Sequence, residues 1–164
     1  MAHLLTPRSA AVLGALLVSA SCGGGPSSVT LTGAWKVTLT YTDCQEQGFA
    51  EGCVRNTPGT ATTEMTITQS GATLSATDGY YSPYTGTEAG RSVNLVRTMQ
   101  IGDFADFDGG VVPGTTTGTD QYQLTLSGDA LDGNFVGTSI SKNTEGAVLA
   151  KVTISATTHW VRLP

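Results

Sequence analysis

The chain has 164 residues, a net charge of −5, 13% charged residues and a mean hydropathy of +0.01. That suits one domain with a sizeable core. All 13 acidic residues lie beyond residue 21, alongside only three lysines, Lys36, Lys142 and Lys151. That balance excludes nucleic-acid phosphates and anionic lipid surfaces as partners.

Residues 1–21 read as an export signal. His3 and Arg8 stand in a short polar start, an apolar run covers residues 10–20, and small residues lead to Cys22. The run is too short to span a bilayer, which takes about 20 residues. Residues 22–28, Cys22-Gly-Gly-Gly-Pro-Ser-Ser, read as a cysteine followed by a flexible tether. The domain itself is expected over residues 29–164.

The junction Ser19-Ala20-Ser21-Cys22 resembles the lipobox of bacterial lipoproteins, departing from it at Ser19, where an aliphatic residue is usual. The resemblance implies that Cys22 carries lipid (palmitate included) and anchors the chain to a membrane of the bacterial cell envelope, the outer membrane. Cleavage after Ala20 without lipid is the alternative, and leaves a secreted or periplasmic protein. With Cys22 lipidated, Cys44 and Cys53 remain as a pair within one polar loop. An oxidising compartment would close them into a disulfide. A metal site is the rival reading, but His159 is the one histidine left to support it.

Residues 29–42 alternate without a break. Leu31, Gly33, Trp35, Val37, Leu39 and Tyr41 take one face, and threonines with Ala34 and Lys36 the other. Period two predicts a strand with one buried face. Further strands are expected at 62–69 (Met65 and Ile67 inward), 73–77 (Leu74 and Ala76 inward), 92–101, 121–127 (Tyr122, Leu124 and Leu126 inward), 131–141 and 147–162. Pro83 demotes residues 80–85 to an edge strand or rim. Asp78-Gly79 is read as a hairpin turn. Residues 102–120 are expected to form a long loop. The strand at 131–141 changes parity between Phe135 and Val136, which predicts a bulge near Gly137. Ile67-Thr-Gln-Ser-Gly-Ala-Thr-Leu74 and Leu124-Thr-Leu-Ser-Gly-Asp-Ala-Leu131 share a pattern that describes one kind of glycine-turned hairpin.

About eight antiparallel strands joined by hairpins give an all-β fold, an up-and-down barrel or a β-sandwich. Gly33-Ala34-Trp35 is similar to the Gly-x-Trp signature of the calycins, lipocalins among them. The resemblance implies a lipocalin-like barrel whose floor is closed by Trp35 beneath an arginine from the last strand, here Arg162. The Gly-x-Trp strand, the Ser-Gly-x-x-Leu hairpins and the tethering cysteine together also resemble small uncharacterised bacterial lipoproteins.

Tyr80, Tyr81 and Tyr84 are candidates for lining a barrel mouth, since tyrosine joins apolar area to a hydroxyl. Sealing one end or covering the core is the alternative role, and the preferred one. Arg97 interrupts an apolar stripe. It is a counter-charge for an anionic ligand, the partner of an interior acid, or a strand-end residue facing water, the last being preferred. Asp103, Asp106 and Asp108 invite a calcium reading, but their spacing fails the EF-hand pattern and no metal is assigned. No cofactor and no catalytic residue is assigned either, because His159 has no nucleophile partner in the sequence. The expected activity is that of a binding module for a small molecule or an envelope protein, not an enzyme. The alternative is a structural or interaction lipoprotein with a filled barrel.

Overall fold

The computed structural model describes residues 30–48, 53, 59–101, 104–105 and 111–164. The export signal, Cys22 with its tether, and Asp103, Asp106 and Asp108 lie outside the described residues. No helix among the described residues is long and apolar enough to cross a membrane.

Ten strands follow in chain order: β1 Gly33–Gly48, β2 Thr60–Ser70, β3 Thr73–Thr77, β4 Tyr84–Ala89, β5 Ser92–Ile101, β6 Phe104–Ala105, β7 Val111–Val112, β8 Gly114–Ser127, β9 Ala130–Asn143 and β10 Val148–Arg162. Eight of them close an antiparallel barrel in the order β1-β10-β9-β8-β5-β4-β3-β2. The short strands β6 and β7 pair only with each other. Every barrel strand lies beside its sequence neighbour and β10 returns to β1, so the barrel is up-and-down and leaves no open edge. It is a barrel and not a sandwich.

The alternation in the sequence is what closes it. Trp35, Val37 and Leu39 of β1, Met65 and Ile67 of β2, and Leu74 and Ala76 of β3 are all buried. So are Val93 and Leu95 of β5, Tyr122, Leu124 and Leu126 of β8, Leu131 of β9 and Trp160 of β10. Their neighbours Lys36, Glu64, Asn94 and His159 point outward. The apolar face is therefore the inside.

Three two-residue turns gather at one end: Gly71-Ala72, Gly90-Arg91 and Gly128-Asp129. Their glycines have φ of +60°, +66° and +61°, and among the described residues no other residue type has a positive φ. Positive φ at the first central position alone is the type II′ signature, whose twist matches that of the strands. The two hairpins of the sequence repeat are thus the same structure, at the same end.

Several expectations are corrected. Asp78-Gly79 does not form a tight hairpin. Residues 78–83 make a longer connection in which Asp78 Oδ1 accepts from the Tyr80 amide at 3.1 Å. β9 keeps one register along its length and has no bulge at Gly137; Val136 simply faces solvent. The bulges lie instead in β1, between Tyr41 and Asp43, and in β10, between Val148 and Ala150. The first of them inserts Thr42 and shifts the inward parity of β1 from Val37, Leu39 and Tyr41 to Cys44 and Glu46, which pair with Ile154 and Val152. Residues 114–120 belong to β8 and not to a loop.

Cys44, on the extension of β1, is bonded to Cys53 with their Cα atoms 5.5 Å apart. The bridge closes a short loop. Replacing both cysteines by serine is expected to lower unfolding stability by about 2–3 kcal/mol. A urea titration would read this as a lower midpoint.

Candidate mouth pocket

The interior is filled from the floor upward. Trp35 and Trp160 are fully buried. The Trp35 indole donates to the Leu31 carbonyl at 2.9 Å, and the Leu31 amide donates to Gln69 Oε1 at 2.7 Å. Arg162 pairs with Trp35 across the β1–β10 ladder, and its Cζ lies 5.1 Å from the indole centroid. Its Nη2 donates to the Thr30 carbonyl. Gly33 has a φ of +146°, and Arg162 Nε passes 4.0 Å from where a Cβ would stand. The backbone conformation, not a lack of space beside Arg162, is what calls for glycine here. Above the floor, Tyr122 meets Trp160, Tyr84 and Phe135, with ring centroids 5.1, 5.4 and 4.9 Å apart.

The next level is ionic. Arg97 points inward from β5, directly opposite Asp120 of β8. Its Nη2 and Nε donate to Asp120 Oδ2 at 2.6 and 3.2 Å, and its Nη1 to Asp78 Oδ2 at 2.8 Å. Tyr84 Oη donates to the same Asp120 oxygen at 3.2 Å. The Tyr84 ring lies under the guanidinium, centroid to Cζ 4.2 Å, and the Tyr81 ring at 5.2 Å. Burial alone lowers the Arg97 pKa, but the two carboxylates outweigh it and raise it. Burial alone also raises the Asp78 carboxyl, yet its bonds from Arg97 and the Tyr80 and Tyr81 amides hold it below the usual value. Burial pushes the Tyr84 and Tyr122 hydroxyls far up, so both stay neutral.

This placement corrects the preferred reading of Arg97. It is 6% exposed, is paired with acids, and does not face water at a strand end. The tyrosines are not brought together as a lining. Tyr84 is buried in the core, whereas Tyr80 and Tyr81 are 83% and 55% exposed on the 78–83 connection. Tyr80 borders an open outer groove of about 740 Å³ with Lys36, Thr62 and Glu64. The groove is larger than the interior pocket, but it is an open surface trough, also lined by Thr63, Leu163 and one side of Asp78.

Above Arg97 the barrel is hollow. A pocket of about 280 Å³ lies between Leu39 and Tyr41 of β1, Met99 of β5, Phe135 of β9, and Val152 and Ile154 of β10. Gly118 and Gly137 leave the space. A Cβ on Gly118 would stand 3.0 Å from Met99 Cε, and one on Gly137 would stand 3.0 Å from Phe135 Cζ and 3.2 Å from Asp120 Oδ1. Asp120 supplies the charge at the wall. The volume sits just below the usual range of about 300–1,000 Å³ for ligand sites. None of Tyr80, Tyr81, Tyr84 and Arg97 lines it.

Sequence reasoning missed Asp120, Gly118 and Gly137. A signal was present: Thr116-Thr117-Gly118-Thr119-Asp120 and Gly137-Thr138-Ser139 put small or polar residues inward on neighbouring strands. Outside the barrel, His159 Nδ1 lies 2.6 Å from Asp132 Oδ1, but both are more than half exposed and the pocket does not reach them. Among the described residues no group of three or more His, Cys, Asp or Glu side chains is placed to hold a metal ion.

No protein-family model matches the chain, and no curated protein matches its sequence. Among solved structures it is similar to the monomer form of the M. tuberculosis PknI sensor domain, with 10% identity over 84% of this chain and 90% of that chain and a TM-score of 0.39. A likeness this distant settles neither ancestry nor activity.

Proposed function

We propose that the chain is an exported, lipid-anchored β-barrel module that holds a small, largely apolar molecule in its mouth. The observation that carries the binding half is the hollow above Arg97. Below it the barrel is packed with side chains, whereas above it two inward glycines leave an apolar space. A barrel evolved only for solidity would fill that space with one more layer of aliphatic side chains, at a gain of about 1.5–3 kcal/mol for each one buried. The Cys44–Cys53 bridge favours export, because such bonds persist in oxidising compartments. The Ser19-Ala20-Ser21-Cys22 junction favours the anchor, and Gly33-Ala34-Trp35 with Arg162 favours calycin kinship.

The binding half is tested on the full chain carrying Cys22→Ala, which keeps detergent out of the assay. Benzyl alcohol or toluene is expected to raise the melting temperature saturably. Val152→Phe, which adds a ring into the pocket, is expected to abolish that rise while leaving a cooperative transition. Equal protection of both proteins would refute a mouth site. The anchor is tested by labelling cells with a clickable fatty acid, where label persisting on Cys22→Ala would refute lipidation at that residue.

A further inference from the structure

The charges around the pocket are unbalanced. Arg97 is one cation, and Asp78 and Asp120 are two carboxylates, both within 3 Å of it. Tyr84 and Tyr122, the other titratable groups at that level, stay neutral. The cluster therefore carries one net negative charge beneath an apolar space. Every guanidinium nitrogen, Nε, Nη1 and Nη2, already donates to a carboxylate oxygen. Arg97 already sits between two carboxylates and does not line the pocket.

The two oxygens of Asp120 differ. Oδ2 accepts three donors, Arg97 Nε, Arg97 Nη2 and Tyr84 Oη. Oδ1 accepts none among the described residues and stands beside Gly137, 3.2 Å from where that residue's Cβ would be. Any other residue at 137 would crowd this oxygen. Glycine leaves it exposed to the pocket, whose apolar walls are Leu39, Met99, Phe135, Val152 and Ile154, with hydroxyls from Tyr41, Thr138 and Ser139. A carboxylate oxygen with open lone pairs at the wall of a mostly apolar, open-mouthed pocket favours a donor, and a charged donor most.

We infer that the mouth pocket selects small apolar molecules bearing a protonated amine, which donates to Asp120 Oδ1 while the apolar body fills the space between Leu39, Met99, Phe135 and Ile154. This rests on the binding reading above and names its ligand class. It also reverses the sign expected from Arg97 alone: the ligand is a cation, not an anion.

The test compares three probes of one size on the full chain with Cys22→Ala: benzylamine, benzyl alcohol and benzoate, followed by amide chemical shifts. Benzylamine is expected to bind about tenfold more tightly than benzyl alcohol. Benzoate is expected not to bind. The shifts are expected at Gly118, Asp120 and Gly137. Asp120→Asn is expected to remove the preference for the amine while benzyl alcohol still binds. Gly137→Ala, which crowds Oδ1 without touching the charge, is expected to weaken the amine more than the alcohol. Equal binding of amine and alcohol to the unmodified pocket would overturn the inference and leave the binding reading standing. Shifts confined to outer acidic residues such as Glu64 or Asp132 would overturn the inference as well. Binding by none of the three would overturn both.

Discussion

Replacing Arg97 by methionine is expected to destabilise the barrel by about 3–5 kcal/mol, the range for removing one partner of a buried ionic cluster. Methionine fits the apolar part of the site, so the loss is electrostatic in origin. It leaves Asp78 and Asp120 facing an interior that no longer holds a cation. The Tyr84 hydroxyl and the Asp78 turn, both organised around the guanidinium, lose their anchor as well. A double-mutant cycle separates these effects. Adding Asp120→Asn to Arg97→Met is expected to cost less than the sum of the two singles, by about 1–3 kcal/mol.

The same cluster sets an acid dependence whose sign is fixed. The Asp78 carboxyl is held below its unfolded value, although burial opposes this, because Arg97 and two backbone amides favour the charged form. Its contribution is therefore fully present above the unfolded carboxylate range, near pH 4, and is lost as the pH falls through the folded value. Without Arg97 the Asp78 carboxylate keeps the Tyr80 and Tyr81 amides but loses its cation. The gap in urea midpoint between the parent protein and Arg97→Met is expected to be full at neutral pH and to narrow below about pH 4. A gap that widened in acid would contradict this assignment.

Trp160→Ala is expected to cost about 3–5 kcal/mol, as for other large-to-small core changes. Trp160 is fully buried where β10 returns to β1, and its ring meets Tyr122 edge-on at 5.1 Å and 90°. Its indole N–H donates to Thr158 Oγ1 at 2.9 Å, so truncation also strips a buried hydroxyl of its partner. The hole would sit between fixed strands of a closed ladder and could not collapse easily. Tyr80→Ala is the contrast. At 83% exposure it is expected to change stability by no more than about 0.5 kcal/mol. Denaturant unfolding of the two variants side by side would show whether the floor carries the stability.

The lower barrel was legible in the sequence because its inner face is apolar. Trp35-x-Val37-x-Leu39, Met65-x-Ile67 and Leu124-x-Leu126 announce their parity directly, and the glycines at 71, 90 and 128 mark the turns. The Cys44–Cys53 pair was legible by elimination. The mouth was not legible, for one physical reason. Hydrophobic alternation reports a strand only where the inward residues are apolar, and at the mouth they are Thr116, Gly118, Asp120, Gly137, Ser139 and Ser141. A strand lined by such residues looks like a loop, and residues 114–120 do so. Arg97 was misplaced for the same cause. Its partner Asp120 lay inside that supposed loop, and Asp78 inside a supposed hairpin turn. The features that hid the site are those that make it hollow and charged.

The most direct measurement is an amide correlation spectrum of the full chain with Cys22→Ala, titrated with benzyl alcohol. The predicted result is saturable shifts at Leu39, Gly118, Gly137 and Ile154, with Trp35 and Trp160 at the floor unmoved and no such shifts in Val152→Phe. Shifts that fail to saturate, or that fall on Lys36, Thr62 and Glu64 of the outer groove, would contradict it.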